Sequence, residues 1–301
     1  MKQNPGNIIP PFLKEGDKVA LVSPCYRLDP VKFQYAVEFL RGWNLEPVLY
    51  PRPDRQYKGP YAGSPSERLA ELEDAFRNPE IRAVFCSRGG YGGIQLLSEL
   101  PGDLFSADPK WLVGFSDITN FLAASLRQGV ASVHGPMGST FNDDPVSDAA
   151  LKDLLFGTLP RYTVPADPRN CPGSASGILV GGNMTSLIPL LGTPWDPIVG
   201  DTVLYIEEIG ETLHHIDRMW NTIALHGELE RVRALIVGSY TESVTDIGFE
   251  SAEEVIGNYA DSLGIPVIYG FPAGHTKKNL PLLYVGKISV ESGPEQASVL
   301  F

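Results

Sequence analysis

Cysteine is scarce in this chain. Cys25, Cys86 and Cys171 stand singly, with no Cys-x-x-Cys among them, and their odd number makes no disulfide framework. That usage points to a reducing, cytoplasmic setting. Basic charge is also short: 24 Lys and Arg face 36 Asp and Glu, a net charge of −12. Such a surface repels phosphate backbones and anionic lipid, which argues against nucleic-acid or membrane binding. No apolar run approaches the roughly 18 residues of a spanning helix. The opening MKQNPGNIIPPFLKEGD lacks the apolar core of a secretory leader. Histidines number five, and only His214 and His215 adjoin. Neighbouring helical positions diverge by about 100°, so they make a poor bidentate pair. With no His-Glu-x-x-His or His-x-His, neither a metal nor a cofactor is expected.

What is present is a regular alternation of short apolar runs and helical patterns, the signature of an α/β fold with a largely parallel sheet. Lys18–Ser23 reads as a first strand. Asp29-Pro30 then supplies an N-cap and a first-turn proline. Pro47–Tyr50 reads as a second strand, followed by a polar, Pro-rich loop to Gly63. Ser64-Pro65-Ser66-Glu67 is a capping box ahead of a helix carrying Leu69, Leu72 and Phe76. Ile81–Cys86 and Trp111–Phe115 read as strands, with helices expected from Ile94 to Leu100 and from Ile118 to Arg127. Residues 158–176, rich in Pro, Ser and Asp, break the pattern and read as containing a linker. Strands at Gly177–Val180, Thr202–Glu207, Arg233–Gly238 and Pro266–Tyr269 follow, with helices around Ile216–Ile223 and Ala252–Leu263. The tail from Leu282 alternates in a β-like way. The expected organisation is a domain over 1–160, a linker over 161–175 and a domain over 176–301.

Val113-Gly114-Phe115-Ser116-Asp117 runs a strand into a serine at the start of a helix. That placement lifts a hydroxyl out of the backbone and aims the first helical N–H groups towards it, a donor set able to stabilise an oxyanion. The competing reading is that Ser116 or Asp117 simply caps the helix. Ser87-Arg88-Gly89-Gly90-Tyr91-Gly92-Gly93 also sits between strand and helix. It serves as an anion-binding turn, as a second oxyanion donor beside Ser116, or only as a tight turn needing positive φ. Its spacing is neither Gly-x-Gly-x-x-Gly nor a P-loop. His275, in a small-residue turn after a strand end, has the chemistry of a general base or is a surface histidine. His134 lines a pocket or packs. Glu207 and Glu208 end a strand, so alternation turns at most one of them into a given site. Glu208 is expected to meet solvent, and Asp217-Arg218 to form an ion pair.

Taken in order, these blocks resemble the LD-carboxypeptidase family of serine peptidases. The resemblance is carried by Gly16-Asp17 with Val19–Pro24, Arg88-Gly89-Gly90-Tyr91-Gly92, Gly114-Phe115-Ser116-Asp117 and His134-Gly135-Pro136. It continues through Gly181-Gly182-Asn183, Leu204–Glu207 with Asp217-Arg218, and Gly274-His275 with Asn279. It implies a flavodoxin- or Rossmann-like N-terminal domain and a smaller, β-rich α/β C-terminal domain. It further implies Ser116 as nucleophile, His275 as base and Glu207 as its orienter, with an oxyanion hole from the N–H groups of Gly90 and Asp117. Arg88 and Asn183 are expected at the substrate, Arg88 as a carboxylate clamp. The implied reaction releases terminal D-Ala from murein tetrapeptide in cytoplasmic cell-wall recycling by a homodimer. A microcin C immunity-type peptidase of the same superfamily and a non-catalytic nucleotide- or phosphate-binding protein are the alternatives.

Overall fold

The computed structural model describes residues 8–50, 57–246 and 248–301. Residues 51–56, the start of the polar loop before Gly63, lie outside these, as do 1–7 and 247. The first sheet is built from β1 (Lys18–Val22), β2 (Glu46–Leu49), β3 (Ile81–Cys86), β4 (Trp111–Gly114) and β5 (Ser132–His134). These five strands are parallel and run in the order β2-β1-β3-β4-β5, which is the flavodoxin-like order. The helices between them are α1 (Pro30–Arg41), α2 (Pro65–Arg77) and α3 (Thr119–Arg127), with α4 (Pro145–Leu155) following β5.

Local chemistry sets these elements as the sequence predicts. Asp29 Oδ1 accepts the N–H of Val31, with Pro30 opening α1. At α2 the capping box is complete: Ser64 Oγ accepts from Glu67 N, and Glu67 Oε2 accepts from Ser64 N. The helix expected over Ile94–Leu100 is instead a single 3-10 turn, Ile94–Leu96. A further turn follows at Pro101–Leu104, where the Leu104 N–H returns to the Pro101 carbonyl, since proline cannot extend a helical ladder.

The second sheet has seven strands in the order β10-β9-β8-β7-β12-β13-β6. Of these, β7 (Gly173–Asn183), β8 (Thr202–Ile209), β9 (Val232–Thr241) and β10 (Val267–Ile268) are parallel. The segment expected as a linker is corrected here. Arg161–Pro165 is a strand, β6, paired antiparallel with β13 (Gln296–Leu300), and β7 already begins at Gly173. Its closing proline is tolerated because β6 is an edge strand. Helices α5 (Met184–Leu187), α6 (Leu213–Leu225) and α7 (Ala252–Ala260) cover this sheet.

The alternating tail does not stay together either. β12 (Ile288–Ser292) and β13 join the second sheet, but β11 (Leu282–Tyr284) adds antiparallel to β5 at the edge of the first. One hydrophobic core runs through both sheets: Leu72, Val84, Phe115 and Phe121 belong to the same buried cluster as Leu179, Tyr205, Ile236 and Val290. The carboxyl ends of β3 and β4 thereby face the ends of β7 and β8.

Candidate active site

The site begins at Ser116. Strand β4 stops at Gly114, Phe115 is extended, and Ser116 takes φ +64° before a 3-10 turn leads into α3. A left-handed serine costs about 1–3 kcal/mol and persists only where its surroundings hold it. The Ser87–Gly93 turn lies against it. Gly90, at φ +98°, has no room for a side chain, because a Cβ there would fall 2.3 Å from the Tyr26 ring. Asp117 ties the two turns together. It is buried, its Oδ2 accepts the Gly93 N–H at 2.7 Å and its Oδ1 accepts from Asn120 Nδ2 at 2.9 Å. Burial raises its pKa, and hydrogen bonds from the Gly93 N–H and the Cys25 and Ser186 side chains act in the opposite direction.

Strand β8 and the turn after Ala273 bring the remaining groups. His275 Nε2 is 3.1 Å from Ser116 Oγ, and His275 Nδ1 is 2.6 Å from Glu207 Oε2. Glu207 is fully buried, so its charge acts on the imidazole with little screening. Burial pulls the His275 pKa down, but the hydrogen bond and charge of Glu207, with Glu208 and Glu242 adding to it, leave it above the ordinary histidine value. Gly274 N–H donates to Asn279 Oδ1 at 2.9 Å and fixes the turn before the imidazole. His134 is fully buried, 3.4 Å from the Tyr205 hydroxyl, and burial with the nearby His275 lowers its pKa to about 3. It is a neutral packing group behind the row, the second of its two expectations.

A serine hydroxyl, an imidazole and a buried carboxylate in one hydrogen-bonded line can activate an alcohol for attack on an acyl carbon. Residues 19–135 match the LD-carboxypeptidase N-terminal domain and residues 176–290 the LD-carboxypeptidase C-terminal domain. The chain belongs to the LD-carboxypeptidase family. It is 34% identical to a probable murein peptide carboxypeptidase of Bacillus subtilis, over 97% of this chain and 94% of that one. It is 30% identical to the murein tetrapeptide carboxypeptidase of Pseudomonas aeruginosa, over 92% and 93%. The crystal structure of muramoyltetrapeptide carboxypeptidase from Oxalobacter formigenes superimposes with a TM-score of 0.82 at 26% identity, covering 94% of this chain and 99% of that one. As a member of this family the protein is a serine-type carboxypeptidase.

Beside Ser116 opens a cavity of about 370 Å³ whose lining includes Gly90, Asp117 and Asn183. Among the described residues, no protein acceptor takes the Gly90 N–H. Asn183 sits at the end of β7, and its Nδ2 donates to Glu208 Oε1 at 2.7 Å. Arg88 is elsewhere: its side chain is exposed and stacks over the Tyr26 ring at 5.8 Å, outside the lining of the cavity.

Two further expectations are corrected. Glu208 does not meet solvent; only 2% of it is exposed. The β8 register shifts between Ile206 and Glu208, and the carboxylate turns into the cavity, where it accepts from Asn183 Nδ2 and the N–H groups of Thr185 and Ile209. Alternation in a strand said only that the two acids part; it did not say that both are buried. Asp217 is bound by Tyr259 from α7, whose hydroxyl donates to its Oδ1 at 2.7 Å, rather than by Arg218. Asn120, Thr185 and Ser186, which also line the cavity, carried no sequence signal of their own.

Proposed function

We propose that this protein hydrolyses the bond between an L-configured residue and a terminal D-amino acid, releasing D-Ala from murein tetrapeptide during cell-wall recycling in the cytoplasm, as a homodimer. The observation that carries this reading is the row Ser116 Oγ, His275 Nε2, His275 Nδ1, Glu207 Oε2, with both contacts at hydrogen-bond length. In it, Ser116 is the nucleophile, His275 the general base and Glu207 the group that holds the imidazole and offsets its charge. His275 takes the Ser116 proton as Oγ attacks the scissile carbonyl. The N–H groups of Gly90 and Asp117 receive the oxyanion. The C–N bond then breaks, the leaving amine collects the proton from His275, and water removes the acyl group by the same steps in reverse.

The test is mass-spectrometric detection of D-Ala release from murein tetrapeptide, with matched L,D- and D,D-terminated peptides beside it. Cleavage of the L,D-peptide alone, lost in Ser116→Ala and His275→Ala, supports the reading. Turnover of an aminoacyl-sulfamoyl adenylate with no L,D-peptide cleaved would replace it with the microcin C immunity-type activity.

A further inference from the structure

A buried charge lies behind the Ser87–Gly93 turn. Arg68, near the start of α2, is 1% exposed, although arginine is almost never fully buried unless paired. Its Nε donates to the Gly63 carbonyl at 3.1 Å, and its Nη2 to Gln95 Oε1 at 2.6 Å. Its Nη1 donates to two carbonyls, Pro24 at 2.5 Å and Gly92 at 2.9 Å. All of these acceptors are neutral oxygens. Taking a guanidinium out of water to reach them is costly, and burial lowers its pKa accordingly. An apolar side chain of similar size would fill the same space at lower cost.

The two carbonyls on Nη1 flank the peptide group that carries the Gly90 N–H. That group joins Gly89 to Gly90, and its carbonyl accepts the Tyr26 N–H at 3.1 Å. Pro24 lies just before Cys25 and Tyr26, so Arg68 anchors the segment that holds this carbonyl. On the other flank, the Gly92 carbonyl and the Gly93 N–H are the two poles of one planar peptide group. The first accepts from Arg68 Nη1 at 2.9 Å, and the second donates to Asp117 Oδ2 at 2.7 Å. A guanidinium and a carboxylate thus grip one peptide from opposite ends, and each charge favours the other. Glycine peptides reorient readily, and Gly90 and Gly92 sit at φ +98° and +114°. No side chain within the turn can stiffen it there. A Cβ on Gly89 would lie 2.9 Å from Ser116 Cβ, and one on Gly92 2.9 Å from the Tyr61 ring. Its rigidity has to come from outside.

We propose that Arg68 is a positioning residue of the reaction: bonded to the carbonyls of Pro24 and Gly92, it holds the Gly89–Gly90 peptide in the orientation that offers the Gly90 N–H to the oxyanion. The inference rests on the place of Gly90 in the proposed mechanism and deepens it. Arg68 is not part of the cavity lining. Its loss should therefore spare substrate binding and weaken only the state in which the carbonyl oxygen carries charge. Lysine keeps the charge but not the planar fork that reaches Gly63, Pro24, Gly92 and Gln95 together.

The test compares the wild type with Arg68→Lys and with Gln95→Ala, an exposed position whose loss removes one anchor of the guanidinium. A fluorophosphonate reads the oxyanion position without relying on any peptide. Ser116 Oγ bonds the phosphorus, His275 takes the hydroxyl proton, fluoride leaves, and the phosphonyl oxygen occupies the place of the oxyanion. Total incorporation counts active sites, and the rate constant reads how well each is formed, so loss of folded protein lowers the first and not the second. Arg68→Lys is expected to lower both that rate constant and kcat on an L,D-peptide by about ten- to a hundredfold, less than deleting a donor outright. KM and the acid limb of the pH profile should stay in place, since Arg68 bonds neither substrate nor His275. Gln95→Ala should show the same pattern at about threefold. Wild-type rate constants in Arg68→Lys, a loss confined to KM, or a displaced acid limb overturns the inference. If Arg68→Lys yields no active sites, Gln95→Ala at the wild-type rate overturns it instead. Labelling of Ser116 with no L,D-peptide cleaved overturns the carboxypeptidase reading alone, because the labelling rates still decide on Arg68.

Discussion

Ser116 is strained, and the strain has a use. At φ +64° its backbone directs Oγ to a point 3.1 Å from His275 Nε2, while the N–H groups of Ile118 and Thr119 turn back to carbonyls of the 3-10 turn. Removing the hydroxyl in Ser116→Ala should lower kcat/KM by at least about a thousandfold, because members of such a row act as a unit; single-turnover measurements on an L,D-peptide check this. The pH profile reports the next residue. His275 must be neutral to accept a proton, and Glu207 holds its pKa above the ordinary value. Rate therefore rises with pH through that elevated pKa. In Glu207→Gln the raising charge is gone, so the acid limb of kcat/KM should move to lower pH even as the plateau drops by about a thousandfold. A limb that stays in place would separate Glu207 from the imidazole. The residues of this row were legible in sequence as chemistry, Ser after a strand and His after another, but not as neighbours. Ser116 and His275 lie 159 positions apart, and only the resemblance to a family joined them.

Among the elements, β7 has the tightest requirement. Gly181 and Gly182 take φ +125° and +119° inside a strand, and a Cβ on Gly181 would sit 1.8 Å from the Tyr205 carbonyl oxygen in β8. The pair lets β7 press against β8 and deliver Asn183 to the cavity. Gly181→Ala is expected to destabilise the protein by at least about 2 kcal/mol, read from the urea midpoint, since both the conformation and the contact are closed to a side chain. Helix starts were legible because capping is local: Asp29 and Ser64 each bond a backbone N–H within three residues. The strand at Arg161–Pro165 was not. Its prolines and polar neighbours look like a connection, and what makes it a strand is pairing with β13, more than a hundred residues later. The burial of Glu208 was hidden for a similar reason, since the bulge in β8 that turns it inwards depends on the register with β9.

At the scale of the whole molecule, the parallel order of the first sheet was legible from the alternation of elements, but its edge was not. β11 comes from the far end of the chain, and Leu282, Leu283 and Tyr284 pair with His134, Val133 and Ser132. Together with the core shared by both sheets, this makes separate unfolding of the two halves costly. Calorimetry should show one transition with calorimetric and van't Hoff enthalpies in agreement, and two resolved peaks would refute the coupling.

The late position of β11 and His275 also bears on synthesis. A ribosome that has completed the first sheet's five parallel strands has made Ser116 with no imidazole beside it and an open strand edge at β5. Only when residues 275–284 emerge do both gaps close, and they close together. A nascent or prematurely terminated chain is therefore a hydrolase in outline only, unable to touch peptides in the cell until its final strands are in hand.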